Sequence, residues 1–181
     1  MPDTLPAITT QQLWRGAALL AVIAAAGLPV LSRAVPPALF PRLRRTVPAA
    51  AFILWAVIWF GVVAIYWQPV YSYFFPASIR WFLPLLMGTG FGLAYGVLFR
   101  LVERLPGHPT LLFVLLAGLL GPLTHAFAVY RGIVEKPPLL RGASPVAAIL
   151  VSYPEFTIYA CLAVLLAAAF LRLRSALSPR A

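Results

Sequence analysis

The sequence of 181 residues predicts an all-α fold, a polytopic integral membrane bundle of five transmembrane helices with its N-terminus outside and its C-terminus inside. Three observations predict it. Hydrophobic residues make up 62% of the chain and charged residues 10%, with a mean hydropathy of +0.94, which is more apolar surface than a water-soluble domain of this length can hide. Five apolar runs each approach the ~20 residues that an α-helix needs to cross a hydrocarbon core of about 30 Å. The 14 basic residues, all Arg except Lys136, fall at the ends of those runs, the placement that orients membrane helices. The whole chain, 1–181, reads as a single transmembrane domain.

The first helix is expected over 13–31, an Ala-rich run. Residues 1 to 12 carry no basic side chain, so it reads as a retained helix and not as a secretory signal. The linker from Arg33 to Pro48 holds four Pro and four Arg and cannot continue a helix. It is expected to lie on the headgroups, with Arg42, Arg44 and Arg45 in contact with anionic lipid. The second helix, 49–67, ends in Tyr66 and Trp67, and rings continue through Tyr71 and Phe75 to Trp81, the composition of an interfacial aromatic belt. The third spans 81–101 and closes with Arg100, Glu103 and Arg104. His108, in Leu105-Pro-Gly-His-Pro109, reads as an exposed turn residue. The fourth and fifth helices are expected over 110–130 and 146–171. With the N-terminus outside, nine basic residues fall inside and five outside, which supports that orientation.

Composition excludes several functions. The net charge of +10 does not point to nucleic acid, because the basic residues cap apolar runs. The two histidines, Cys161 and the four acids show no ligand spacing, so no metal and no cofactor is expected. Cys161 reads as a small packing residue. There is no HExxH, no Gly-x-Ser-x-Gly turn and no pair of catalytic Asp residues. Any catalysis would use very few groups.

Gly88, Gly92 and Gly96 lie four apart on one face of the third helix, a glycine zipper. Lipid gives apolar helices no hydrophobic reason to associate, so small residues act by letting backbones approach. These glycines are expected to pack within the monomer or against a second subunit. On the fourth helix, Gly118 and Gly121 share a face with His125, and Pro122 is expected to kink the chain.

On the fifth helix, Glu155 follows Pro154 roughly 14 Å below the outer boundary, counted at 1.5 Å per residue. An ionised carboxylate there costs several kcal/mol unless paired or solvated. Helical side chains lean toward their own N-terminus, and the fourth and fifth helices run in opposite directions, so Glu155 and His125 lean toward each other. They are the candidate catalytic pair. Tyr66, Thr124, Tyr130, Ser152, Tyr153 and Tyr159 are the candidate ligand-lining residues, with Arg131 and Arg141 in reach.

Three functions remain open on these residues. A non-catalytic integral subunit or scaffold of a complex in the plasma (inner) membrane accounts for the scarcity of polar groups. Its partners would be membrane lipids and other membrane subunits or a second copy, with no nucleic acid. A small intramembrane enzyme would use Glu155 and His125 as proton donors and acceptors on an isoprenoid or sterol-like substrate, chemistry that needs only one or two groups in a dry pocket. A small proton-coupled carrier would move a proton past Glu155, although one acid halfway across is a thin relay.

Overall fold

Inside a bilayer every backbone N–H and C=O must find its partner within the protein, which favours helices over any open strand. The structure, a computed structural model that describes residues 10–66, 77–131 and 144–177, is helical throughout, with no strand among the described residues. The helices are α1 (Thr10–Ala34), α2 (Thr46–Tyr66), α3 (Leu83–Val102), α4 (Pro109–Tyr130) and α5 (Pro145–Leu177), with single 3-10 turns at Phe40–Leu43 and Ala77–Ile79. Among the described residues, four segments are long and apolar enough to cross a membrane: Gln11–Ala34, Thr46–Ile65, Leu83–Val102 and Pro145–Leu177. In α4 the described apolar stretch, Pro109–Thr124, is shorter.

Most boundaries differ from the expected ones by one to three residues, and the C-terminal end of α5 by six. α2 starts at Thr46, because Pro48 falls in the first turn, where no backbone donor is needed, and the Thr46 hydroxyl donates to the Leu43 carbonyl at 3.1 Å. α5 runs six residues past Leu171, to Leu177, with Arg174 in its last turn where the helix dipole favours a cation. Pro122 and Pro154 both lie inside helices that continue through them.

The linker between α1 and α2 is more than the surface loop that its Pro and Arg content suggests, because it also supplies part of the core. Its prolines and 3-10 turn direct its apolar side chains into the bundle end, so that Val35, Phe40, Leu43 and Val47 are all fully buried. Phe40 stacks on Phe99 of α3, with ring centroids 4.0 Å apart and planes 7° off parallel, and tilts against Phe113 of α4 at 6.1 Å. Its arginines, Pro36, Pro37, Ala38 and Pro41 face outward. The linker thus carries core and surface on alternate sides.

Three contacts tie chain segments to this end. The Thr110 hydroxyl, buried at the start of α4, donates to the Val35 carbonyl at 2.8 Å. Arg172 near the end of α5 donates to the Ala34 carbonyl at 3.3 Å, and Arg44 lies 4.0 Å from Glu103 at the end of α3. The linker, the α3–α4 turn and the C-terminal part of α5 therefore share one end of the bundle. Gly107, at φ +109°, makes the turn between α3 and α4, a backbone shape that side chains rarely adopt. His108 beside it is half-buried, not an exposed turn residue.

The glycine face of α3 meets α2. A Cβ at Gly88 would stand 2.7 Å from the Phe52 carbonyl oxygen, one at Gly92 3.0 Å from that of Pro48, and one at Gly96 3.2 Å from the Pro48 ring. The same face continues through the buried Tyr95, Phe99 and Val102. Gly90 faces open space.

Gly88→Leu is therefore expected to lower the thermal midpoint of the detergent-solubilised protein, an overpacking cost of about 1–3 kcal/mol, while Gly90→Leu leaves it unchanged. Equal effects of the two substitutions would show that α2 and α3 do not meet in this way. Phe40→Ala should destabilise by about 3–5 kcal/mol in the same assay, as expected of a core aromatic.

Candidate functional site

Glu155 sits half-buried on α5, one residue after the buried Pro154. An offset of four places Tyr159 one turn further along the same face, and its hydroxyl donates to Glu155 Oε1 at 2.6 Å. The carboxyl is thus held in one orientation by its own helix.

The neighbouring hydroxyls face backbone carbonyls. Ser152 donates to Ala148 O and Thr157 to Tyr153 O, each at 2.8 Å along α5. Thr124 turns back on α4, to Leu120 O at 2.8 Å and Gly121 O at 2.9 Å. Tyr153 crosses between helices and donates to Leu115 O at 3.2 Å. Hydroxyls with this local option commonly take it, because the i−3 and i−4 carbonyls are the nearest acceptors.

Gly118 and Gly121 lie where α4 meets α5. A Cβ at Gly118 would collide with Thr157, and one at Gly121 with the ring of Phe156. The side chain of His125 lies outside the described residues, as does that of Tyr66, so the proposed pairing of Glu155 with His125 is not described. Arg141 also lies outside them. Tyr130 closes α4 half-buried, and Arg131 holds its guanidinium 5.8 Å from the Phe127 ring. Of the linker arginines, Arg42 and Arg45 are exposed, while Arg44 is the one beside Glu103.

Behind Glu155 stands an aromatic series that sequence reasoning missed. Tyr159 meets Trp55 edge-on at 5.3 Å, and Trp55 stacks on Phe91 at 3.7 Å. Phe91 meets Tyr95 at 6.3 Å, Tyr95 meets Phe113 at 5.5 Å, and Phe113 meets Phe99 at 5.7 Å. Phe99 stacks on Phe40, so the rings run without a break from the acid on α5 to the linker. Tyr95 and Phe99 were legible as the continuation of the Gly88–Gly92 face at offsets of three and four. Trp55 carried no such signal, because α2 is apolar on every side.

Two polar atoms are buried inside this series. The Trp55 indole N–H and the Tyr95 hydroxyl are enclosed as neighbours, without a well-formed hydrogen bond to each other or to another described group. An unpaired buried donor costs about 1–3 kcal/mol, so the ring packing around them must outweigh it.

Tyr159→Phe removes the donor to Glu155 and keeps the ring against Trp55. It is expected to destabilise the solubilised protein by about 1–3 kcal/mol, and Glu155→Gln by less, since an amide oxygen still accepts the bond. The reverse order in thermal unfolding would mean that Tyr159 does not position the acid. Among known proteins the chain matches no family model, no curated protein and no solved structure.

Proposed function

We propose that the chain is a non-catalytic integral subunit or scaffold of a complex in the plasma (inner) membrane, crossing it five times with its N-terminus outside and its C-terminus inside. The observation that carries this reading is the commitment of the polar groups around Glu155. Ser152, Thr124 and Thr157 are spent on their own helices, Tyr153 joins α5 to α4, and Tyr159 holds the acid. A catalytic centre needs donors aimed at the position where charge develops on a substrate. All of these donors but the Tyr159 hydroxyl, which is aimed at the acid itself, are aimed at the backbone.

The outer faces support the same reading. Only 17% of the apolar window of α1 and 33% of that of α5 are buried within the chain, and Val57, Phe60, Leu93 and Val97 point outward from α2 and α3. Such faces suit lipid, helices of other subunits, or a second copy. Tagged full-length protein purified in mild detergent is expected to carry other membrane polypeptides in fixed ratio or to form a homo-oligomer, and Glu155→Gln should leave that assembly intact. Recovery as a strict monomer without partners would overturn the reading.

The short Glu155–Tyr159 bond favours a second reading, in which the oriented carboxyl does acid–base work on an isoprenoid or sterol-like substrate with His125 as its proton partner. Loss of a cellular activity in Glu155→Gln, with assembly and thermal stability kept, would select this reading over the first.

A further inference from the structure

We propose that the groove between the end of α1, the linker and the C-terminal part of α5 binds the phosphate of an anionic phospholipid, with Arg33, Arg42 and Arg172 as its ligands. The groove has a volume of about 410 Å³ where Arg33, Arg42 and Arg172 line it, and it adjoins a second of about 210 Å³ walled by Leu39, Ala168 and Leu171. Arg42 and Arg172 line both. Among the described residues, no acidic one lines either groove.

Charge is the first argument. Three guanidinium groups brought to one groove repel each other, and an anion between them turns that cost into charge-assisted hydrogen bonds. Arg44 differs, because Glu103 already stands beside it. Arg172 is held in place by its bond to the Ala34 carbonyl, which occupies one of its five N–H donors and leaves the rest of the fork available. Of the arginines expected to meet lipid, only Arg42 belongs to this groove.

Depth is the second argument. α5 has 33 residues, roughly 50 Å of helix against a hydrocarbon core of about 30 Å. A crossing of ~20 residues that starts at Val146 ends near Leu166, which puts Ala168 and Leu171 at the boundary and Arg172 at headgroup level. The apolar wall below the arginines is where acyl chains would start. A free phosphate would find the cations but have no use for that wall.

The proposal is independent of the subunit reading. Its test is native mass spectrometry of the full chain, delipidated in neutral detergent and titrated with dioleoylphosphatidylglycerol, dioleoylphosphatidylcholine or inorganic phosphate. Phosphatidylglycerol is expected to bind about tenfold more tightly than phosphatidylcholine, as charge-assisted bonds would give. Combining Arg42→Gln with Arg172→Gln should abolish that preference. Combining Arg45→Gln with Arg104→Gln, an equal loss of charge at exposed positions outside the groove, should preserve it. If the first double variant does not fold, Arg42→Gln alone, which leaves the Ala34 bond intact, is expected to weaken phosphatidylglycerol several-fold. Equal losses in the two double variants would overturn the proposal in favour of diffuse surface charge. Displacement of phosphatidylglycerol by equimolar inorganic phosphate would overturn the lipid assignment.

Discussion

A membrane removes the hydrophobic reason for helices to associate, so this bundle depends on how closely α3 can approach α2 and α4 can approach α5. At Gly88 and Gly92 the atoms that a side chain would meet are backbone carbonyl oxygens of α2. A carbonyl cannot swing aside as a long side chain does. At Gly118 and Gly121 the obstacles are Thr157 and Phe156, whose positions are set in turn by a bond to Tyr153 O and by the rings around Trp55. Dispersion between surfaces held this close is small for each atom pair and large in sum.

The acid is placed by the same packing. Phe156 fits against Gly121 and, with Tyr159, against Trp55, so Glu155 lies beside two residues whose rings are fixed by another helix. The aromatic series then carries that constraint through α3 and α4 to Phe40 in the linker. One continuous set of rings connects the middle of α5 with the far end of the molecule. Its cost is visible in the unpaired polar atoms of Trp55 and Tyr95, which such a core tolerates only when its shape fit is good.

The helices were legible because a run of apolar residues of membrane length has few other uses. The offsets of four that put Gly88, Gly92 and Gly96 on one face, and Tyr159 one turn from Glu155, could also be read. What those faces would meet could not, since apolar helices such as α2 present no polar side to orient them. The linker's share of the core was not legible for a physical reason: its Pro and Arg content resembles that of a solvated loop, and its four buried apolar residues show a pattern only once the 3-10 turn has formed. The hydroxyls near Glu155 looked available because local bonds to i−4 carbonyls leave no trace in composition.

The linker's partners are distant along the chain. The Val35 carbonyl waits for a hydroxyl 75 residues later, and the Ala34 carbonyl for a guanidinium 138 residues later. A ribosome delivers the chain from its N-terminus, so the linker is made well before either partner. Phe40 therefore lacks its ring partners Phe99 and Phe113 until α3 and α4 follow. Closure of this bundle end therefore draws on segments made well after the linker, α4 through Thr110 and α5 through Arg172.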